Sequence, residues 1–247
     1  MRARLSPFAY VATTAALALQ VPLAPAQGPG AAPLPKAEDV LKLVRLSQPQ
    51  EEMHLVGDTR DRKIAIKKIP LKLSLSKDGY RFQFFEGDSR RNKPNQIITL
   101  ELLPNQCKLT EIVPGKAGEL PPERFAERVR GTDITYEDLA MRFLYWPNPK
   151  HLKPERAKGG EAWRIRCTNP LKDGPYATVD AWVSQESGAL VKMEGLDAQG
   201  RLIKSFEVES AQRHKGAWVL QEMVVRTHPA DRKGSPTRTF LKIEPPE

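Results

Sequence analysis

The sequence predicts a mainly β protein with a few helices (α+β), built on one large, strongly curved antiparallel sheet. Three observations predict it. Apolar and polar residues alternate with a period of two through most of the chain. Turn residues separate the alternating runs at short intervals, which favours pairing between successive strands. No strand–helix–strand alternation appears, which argues against a parallel sheet.

The first element stands apart from that pattern. Arg2 and Arg4 precede an Ala-rich apolar run from Phe8 to Leu19, and Ala24-Pro25-Ala26 follows with small residues at −3 and −1. This is the layout of a cleavable signal peptide over residues 1–26, and it predicts export to the periplasm. The apolar run is short for a membrane span. No Cys lies near the cleavage site, so a lipid-anchored lipoprotein is not expected. Residues 27–35, rich in Pro, Gly and Ala, read as a flexible leader, and 36–247 as a single domain.

From Ala37 to Leu46, Val40, Leu41, Leu43 and Val44 recur at helical spacing. Lys36, Glu38, Asp39, Lys42 and Arg45 cover the other side, so an amphipathic helix is expected, ending near Pro49. The period then becomes two. Ile69, Leu71, Leu73 and Leu75 lead to the tight turn Asp78-Gly79, and Tyr80, Phe82 and Phe84 continue beyond it as a hairpin. Ile97 to Leu103 and Lys108 to Val113 are two more strands. Gly115 to Glu123 reads as loop, Glu123 to Val129 as a short helix, and Thr135 to Leu144 as another helix. Thr135 with Asp138 three residues on resembles a capping box. Lys150 to Gly160 reads as a polar, basic loop. A meander of six strands follows: Ala162 to Cys167, Ala177 to Ser184, Ala189 to Leu196, Leu202 to Ser210, Ala217 to Thr227 and Thr237 to Ile243.

Composition narrows the function. The net charge is +9, falling by two to +7 if Arg2 and Arg4 are removed. Such an excess can attract nucleic acid or anionic lipid. The basic residues are spread along the chain, however. The densest cluster, Arg60 to Lys68, is interrupted by Asp61 and apolar residues, and no nucleic-acid motif accompanies it, so no nucleic-acid partner is expected. Cys107 and Cys167 suggest one disulfide across neighbouring strands in an exported protein, with two buried thiols as the alternative. His54, His151, His214 and His228 show no metal-ligand spacing. There is no nucleophile elbow and no phosphate-cradling loop. The acidic pairs Glu51-Glu52 and Glu137-Asp138 suit solvated segments or a helix start. No enzymatic role, metal or cofactor is expected.

A curled sheet must cover its concave apolar face, and a face left open is a natural binding cavity. The candidates for its lining are Leu71, Leu73, Tyr80, Phe82, Phe84, Ile98, Leu100, Leu102, Trp182 and Met193. Periodicity does not separate a cavity lining from a plain core.

The run Gly131-Thr132-Asp133-Ile134-Thr135-Tyr136-Glu137-Asp138-Leu139 resembles a signature of outer-membrane lipoprotein-sorting proteins of the LolA/LolB-like superfamily. The stretch from Val179 to Val224 is similar to that family's strand–turn–strand run, through Ser187-Gly188, Leu190-Val191, Asp197, Gly200-Arg201-Leu202 and Gly216-Ala217-Trp218-Val219. The Lys150 to Gly160 loop and Arg232-Lys233 have no counterpart in these signatures. The resemblance implies a half-open β-barrel covered by helices. It implies a soluble monomeric carrier of lipid or lipoprotein acyl chains toward the outer membrane. Such a carrier would meet an inner-membrane transporter or an outer-membrane acceptor. A sensor or protein-interaction module on the same fold is the alternative. The motif residues Gly131, Thr132, Asp133, Tyr136, Glu137 and Asp138 would either bind a partner or cap the helix and fix its loop.

Overall fold

The computed structural model describes residues 34–46, 52–60, 68–89, 91–214, 217–229 and 234–244. The predicted signal peptide and nearly all of the leader lie outside them, as do the heart of the Arg60 to Lys68 cluster and Arg232-Lys233. Residues Pro35–Glu247 form one compact unit.

The chain enters through helix α1 (Ala37–Leu46), with Glu38 and Asp39 in its first turn, where acidic groups complement the helix dipole. Six strands follow: β1 (Met53–Arg60), β2 (Lys68–Ser76), β3 (Gly79–Phe84), β4 (Gln96–Leu102), β5 (Cys107–Val113) and β6 (Lys116–Glu119). A short helical region separates them from the rest. It holds two 3-10 turns (Pro122–Arg124 and Val129–Gly131), helix α2 (Tyr136–Ala140) and a third 3-10 segment, Arg142–Tyr145. Eight strands then complete the chain: β7 (Lys150–His151), β8 (Glu155–Ala157), β9 (Gly160–Thr168), β10 (Thr178–Ser184), β11 (Leu190–Leu196), β12 (Leu202–His214), β13 (Ala217–Thr227) and β14 (Thr237–Ile243).

Among the described residues these fourteen strands form one antiparallel sheet, in the order β6-β5-β4-β3-β2-β1-β14-β13-β12-β11-β10-β9-β7, with β8 on β9. Every neighbour in that order is a neighbour in sequence except at two points. β7 reaches β9 past β8, and β14 closes back onto β1. The second pairing joins the two meanders into one surface. Gly57 permits it, since a Cβ there would run into the Lys242 carbonyl of β14. Register breaks within β10/β11, β11/β12 and β12/β13 add twist and bend. The sheet curls but does not close, as an open barrel with helices against its inner face.

Several elements differ from the sequence-based expectation. β1 was not expected, because Gly57 and Asp58 interrupt its apolar alternation. β6 lies in the expected Gly115 to Glu123 loop, and all four of its residues are exposed, so nothing apolar marks it. β7 and β8 lie in the expected Lys150 to Gly160 loop, where backbone pairing with β9 does the organising. The expected helix from Glu123 to Val129 is only the 3-10 turn Pro122–Arg124. The expected helix from Thr135 to Leu144 breaks at Met141, which takes the left-handed conformation (φ 46°, ψ 41°).

Two apolar cores result. The first lies under β1–β5 and is filled by α2 and the residues leading into it, with Leu71, Leu73, Phe82, Phe84, Ile98 and Leu100 at its centre. The second lies under β9–β11 and is filled by α1 and the Arg142–Tyr145 segment, with Val40, Leu41, Phe143, Ile165, Val179 and Met193. Each such side chain, fully buried, contributes about 1.5–3 kcal/mol.

Candidate functional site

The candidate site is the inner face of the sheet together with its helical cover. Cross-strand pairing sets the inner face in rows: Leu55–Leu73–Phe82–Ile98 in one, and Met53–Leu75–Tyr80–Leu100–Leu109 in the next. The Phe82 and Phe84 rings stack at 6.4 Å between centroids.

Helix α2 closes this face, and buried polar bonds hold it there. Thr135 is its N-cap: the Asp138 amide donates to Thr135 Oγ1 at 3.2 Å, and the Thr135 amide donates to Asp138 Oδ2 at 2.8 Å. The capping box read from the sequence is therefore formed. Asp138 Oδ1 also accepts the Tyr176 hydroxyl at 2.5 Å, and Lys204 Nζ lies 3.6 Å from Asp138 Oδ2. Lys204, almost fully buried, donates to the Asp133 carbonyl at 2.5 Å and to Thr227 Oγ1 at 2.9 Å. The Asp133 carboxylate accepts Thr237 Oγ1 at 2.5 Å and Thr239 Oγ1 at 3.2 Å, both from β14. Thr132 Oγ1 donates to the Val129 carbonyl at 2.7 Å, and Gly131 turns the chain at φ 72°. Tyr136 donates to the buried Glu111, which also accepts from Gln96 at 2.7 Å and Arg124 at 2.8 Å. Burial pushes Glu111 up, but these three donors outweigh it and hold its carboxyl below the usual range.

Glu137 accepts Arg142 Nε at 2.9 Å and Nη2 at 2.6 Å, and Arg142 Nη1 reaches Asp173 at 3.0 Å. Burial dominates at Glu137 and raises its pKa, against the pull of Arg142. Each polar side chain of the Gly131 to Leu139 run is thus engaged inside the chain, in the cap-and-loop arrangement.

The cover over the second core is tied differently. Val40 and Leu41 of α1 are fully buried. Arg45 donates to the Leu144 carbonyl, and its guanidinium lies 5.0 Å over the Tyr145 ring. The His151 ring nitrogen meets the Pro35 carbonyl at 2.7 Å, fixing the start of α1. Where α1, Met141 and Tyr145 meet the sheet lies a cavity of about 30 Å³, lined by Arg45, Tyr80, Leu100, Leu102, Met141 and Tyr145 among others. That is about the share of one water molecule, whereas ligand pockets span roughly 300–1,000 Å³. The inner face is therefore filled in this conformation. An open groove of about 330 Å³ shares Tyr80 and Leu100 with this cavity and is rimmed by Glu52, Ser74, Arg81 and Glu101.

The expected lining residues fall as follows. Leu71, Leu73, Phe82, Phe84, Ile98 and Leu100 are buried in the first core, Tyr80 and Leu102 are half-buried at its margin, and Met193 is in the second core. Trp182 requires correction: it is on the outer face. Val179, Ala181 and Val183 of β10 point inward, so Asp180 and Trp182 point outward by the two-residue period. The Trp182 ring is sandwiched between Arg164 at 4.6 Å and Lys192 at 4.2 Å, and its indole N–H donates to Glu155 at 3.1 Å. Counting the parity of β10 identifies this face.

The expected disulfide is also corrected: Cys107 and Cys167 are free thiols. β5 and β9 are not neighbours; they lie near opposite ends of the sheet, one against each core. Cys107 Sγ instead meets the Ala140 carbonyl at 3.3 Å. Burial pushes the Cys107 thiol up to about 11 and Cys167 to about 12, so both stay protonated and unreactive near neutral pH.

Sequence reasoning missed Arg45, Arg142, Tyr176, Lys204, Thr237 and Thr239. Lys204 left one signal, since it occupies the apolar parity of β12 between Leu202 and Phe206. Among the described residues no cluster of His, Cys, Asp or Glu could hold a metal ion. No helix there is long and apolar enough to cross a membrane.

An open antiparallel barrel plugged by short helices defines the LolA-like class of folds, and solved structures share it. One is a putative outer membrane lipoprotein-sorting protein domain from Vibrio parahaemolyticus (14% identity over 84% of this chain and 90% of that one, TM-score 0.69). Another is a LolA superfamily protein from Nitrosomonas europaea (18%, 86% and 93%, TM-score 0.62). A third is a DUF1329 family protein from Desulfovibrio piger (13%, 84% and 89%, TM-score 0.65). At these identities the likeness is one of fold. No curated protein matches the chain in sequence. A family model described as that of an uncharacterized protein matches residues 116–244, just over half of the chain, and the chain belongs to that DUF1329-like family.

Proposed function

We propose that this protein is a soluble periplasmic carrier. It shelters lipid or lipoprotein acyl chains between the inner face of its sheet and the helical cover, and conveys them toward the outer membrane. The observation that carries the reading is the seam between cover and sheet. A continuous apolar face of Tyr80, Phe82, Leu100 and Leu102 runs up to a cavity bounded by α1 and the Arg142–Tyr145 segment. At about 30 Å³ the cavity corresponds to a closed state, and loading requires the cover to move. Each CH₂ group then buried is worth about 0.8 kcal/mol, enough for a chain of ordinary length to displace a few apolar contacts.

The test is lipid extraction of protein purified from a periplasm, combined with uptake of a dansylated fatty acid. Co-extracted lipid and saturable uptake are expected, with uptake lost in Leu102→Lys, a half-buried position whose change the fold should tolerate. Empty protein that takes up no probe overturns the reading. That outcome leaves a periplasmic sensor or protein-interaction module on the same fold, the second reading that the filled interior supports.

A further inference from the structure

A cluster of charges bridges the joint at Met141, where α2 gives way to the 3-10 segment. Glu137 on α2 is 2% exposed, and its amide donates to the Phe125 carbonyl at 2.9 Å, so it stays with the residues leading into the helix. Arg142, on the far side of Met141, is the first residue of the segment. Its Nε and Nη2 donate to Glu137 Oε2 at 2.9 and 2.6 Å, and its Nη1 donates to Asp173 at 3.0 Å. The guanidinium also lies 4.6 Å over the Phe125 ring. Gly174 leaves room for it, since a Cβ there would lie 2.7 Å from Arg142 Nη2. Ala140 and Met141 line the cavity, so moving the segment away from α2 opens the seam and parts Arg142 from Glu137.

The ionisable groups facing Glu137 come from each element around it. Burial is the largest influence and raises its pKa; Arg142 pulls it down; Asp138 on α2 and Asp173 in the β9–β10 loop push it up. Tyr176 of the same loop and Cys107 on β5 are both raised, chiefly by burial, and stay neutral. When Arg142 withdraws, its offset is lost, while the burial of a carboxyl tied to Phe125 and the two neighbouring carboxylates remain. Glu137 therefore holds a proton more tightly with the cluster parted than with it closed. By linkage, proton uptake favours the parted form. The effect sets in as pH falls from neutral toward the ordinary carboxylate range.

We propose that Glu137, Arg142 and Asp173 form an acid-released clasp that sets how readily the segment after Met141 parts from α2. The proton comes from solvent and ends on the Glu137 carboxylate. Arg142 keeps its charge and its Asp173 partner, and loses only the buried anion that held it to the helix. The clasp rests on the carrier reading for its use, since loading requires the cover to move. Its opening is read from the backbone, without any lipid.

The test is amide exchange at about pH 5 and about pH 7.5, each rate divided by the intrinsic chemical rate at that pH. The reporters are the Leu144 and Trp146 amides, which donate to the Met141 and Phe143 carbonyls. Their protection should fall about tenfold at the acid pH, the equivalent of one pKa unit between the closed and parted forms. The Glu137 and Leu139 amides, bonded to Phe125 and Thr135, should hold their protection. Glu137→Gln keeps the shape and removes the charge, so Leu144 and Trp146 should be weakly protected at both pH values. Equal protection at the two pH values in the wild type overturns the proposal, whether or not the variant folds. A pH response that survives Glu137→Gln overturns it too. Loading of pyrene-labelled phosphatidylcholine, measured alongside, should quicken at the acid pH. An acid response in protein that loads no lipid supports the clasp and overturns the carrier reading.

Discussion

Under β1–β5 the core is closed by α2, and α2 with the residues leading into it is fixed by bonds from buried polar groups on β5, β12, β14 and the β9–β10 loop. Under β9–β11 the core is closed by α1 and Arg142–Tyr145; the segment's start is pinned by the Arg142 ion pairs, while α1 relies on apolar packing with few polar ties. Arg45 on Leu144 and Tyr145 joins the two, His151 anchors one end, and Arg142 anchors the other. The difference is one of directionality. Buried hydrogen bonds fix a single geometry and are costly to break. Apolar contacts tolerate sliding and re-pack at lower cost. The two halves of the cover meet at Met141, whose left-handed backbone separates α2 from the segment after it. A fixed half and a looser half adjoin at the cavity, an arrangement that the proposed carrier would use.

Removing the central carboxylate of the fixed half gives the largest expected effect. Asp138→Ala removes the returning half of the capping box, the carboxylate that accepts the Tyr176 hydroxyl and the charge that faces buried Lys204, at a cost of about 3–5 kcal/mol in urea unfolding. A loss under about 1 kcal/mol, the scale of one ordinary hydrogen bond, would mean that α2 is not polar-anchored and would erase the contrast. Loosening the other half should do less to stability and more to motion. Arg45→Met should cost about 1–2 kcal/mol and speed amide exchange over residues 37–46, while leaving 136–140 protected. Equal acceleration in both segments would show one cover rather than two.

The smallest effect is a pH slope. Glu111 has its pKa lowered in the folded state, so its contribution is present above the ordinary carboxylate range and is lost as pH falls through the folded value. Glu137 is raised, so its contribution has the opposite sign: present at low pH, and lost as pH rises through its folded value. Glu111→Gln should therefore flatten the acid-side fall in stability, measured by urea unfolding across a pH series. A fall as steep as in the wild type would show that Glu111 is not a source of it.

Much of the fold was legible because it is local. The Asp78-Gly79 hairpin, helix α1, the capping box and the six-strand meander each follow from side-chain period and turn chemistry within a few residues. β1 and β6 were not legible, because Gly57 and Asp58 interrupt the alternation of the first and the second has four exposed residues with no apolar pattern. The site was legible only in part. Leu71, Phe82 and Leu100 announce an apolar face, but nothing local says whether that face is filled or open.

The sequence by itself determined the antiparallel class, the helix start at Thr135 and the apolar rows of the β2–β4 region, since alternation and capping act over one or two turns of chain. Only the tertiary structure decided three other matters. Pairing of β14 with β1 joined two meanders into one sheet. Packing of the second core chose Val179, Ala181 and Val183 as the covered face of β10, which left Trp182 on the other, and the strand order kept Cys107 from Cys167. Lys204 was turned inward onto the Gly131 to Leu139 run. Each depends on which distant backbone arrives alongside, and the period of a strand gives its two faces without saying which one will be covered.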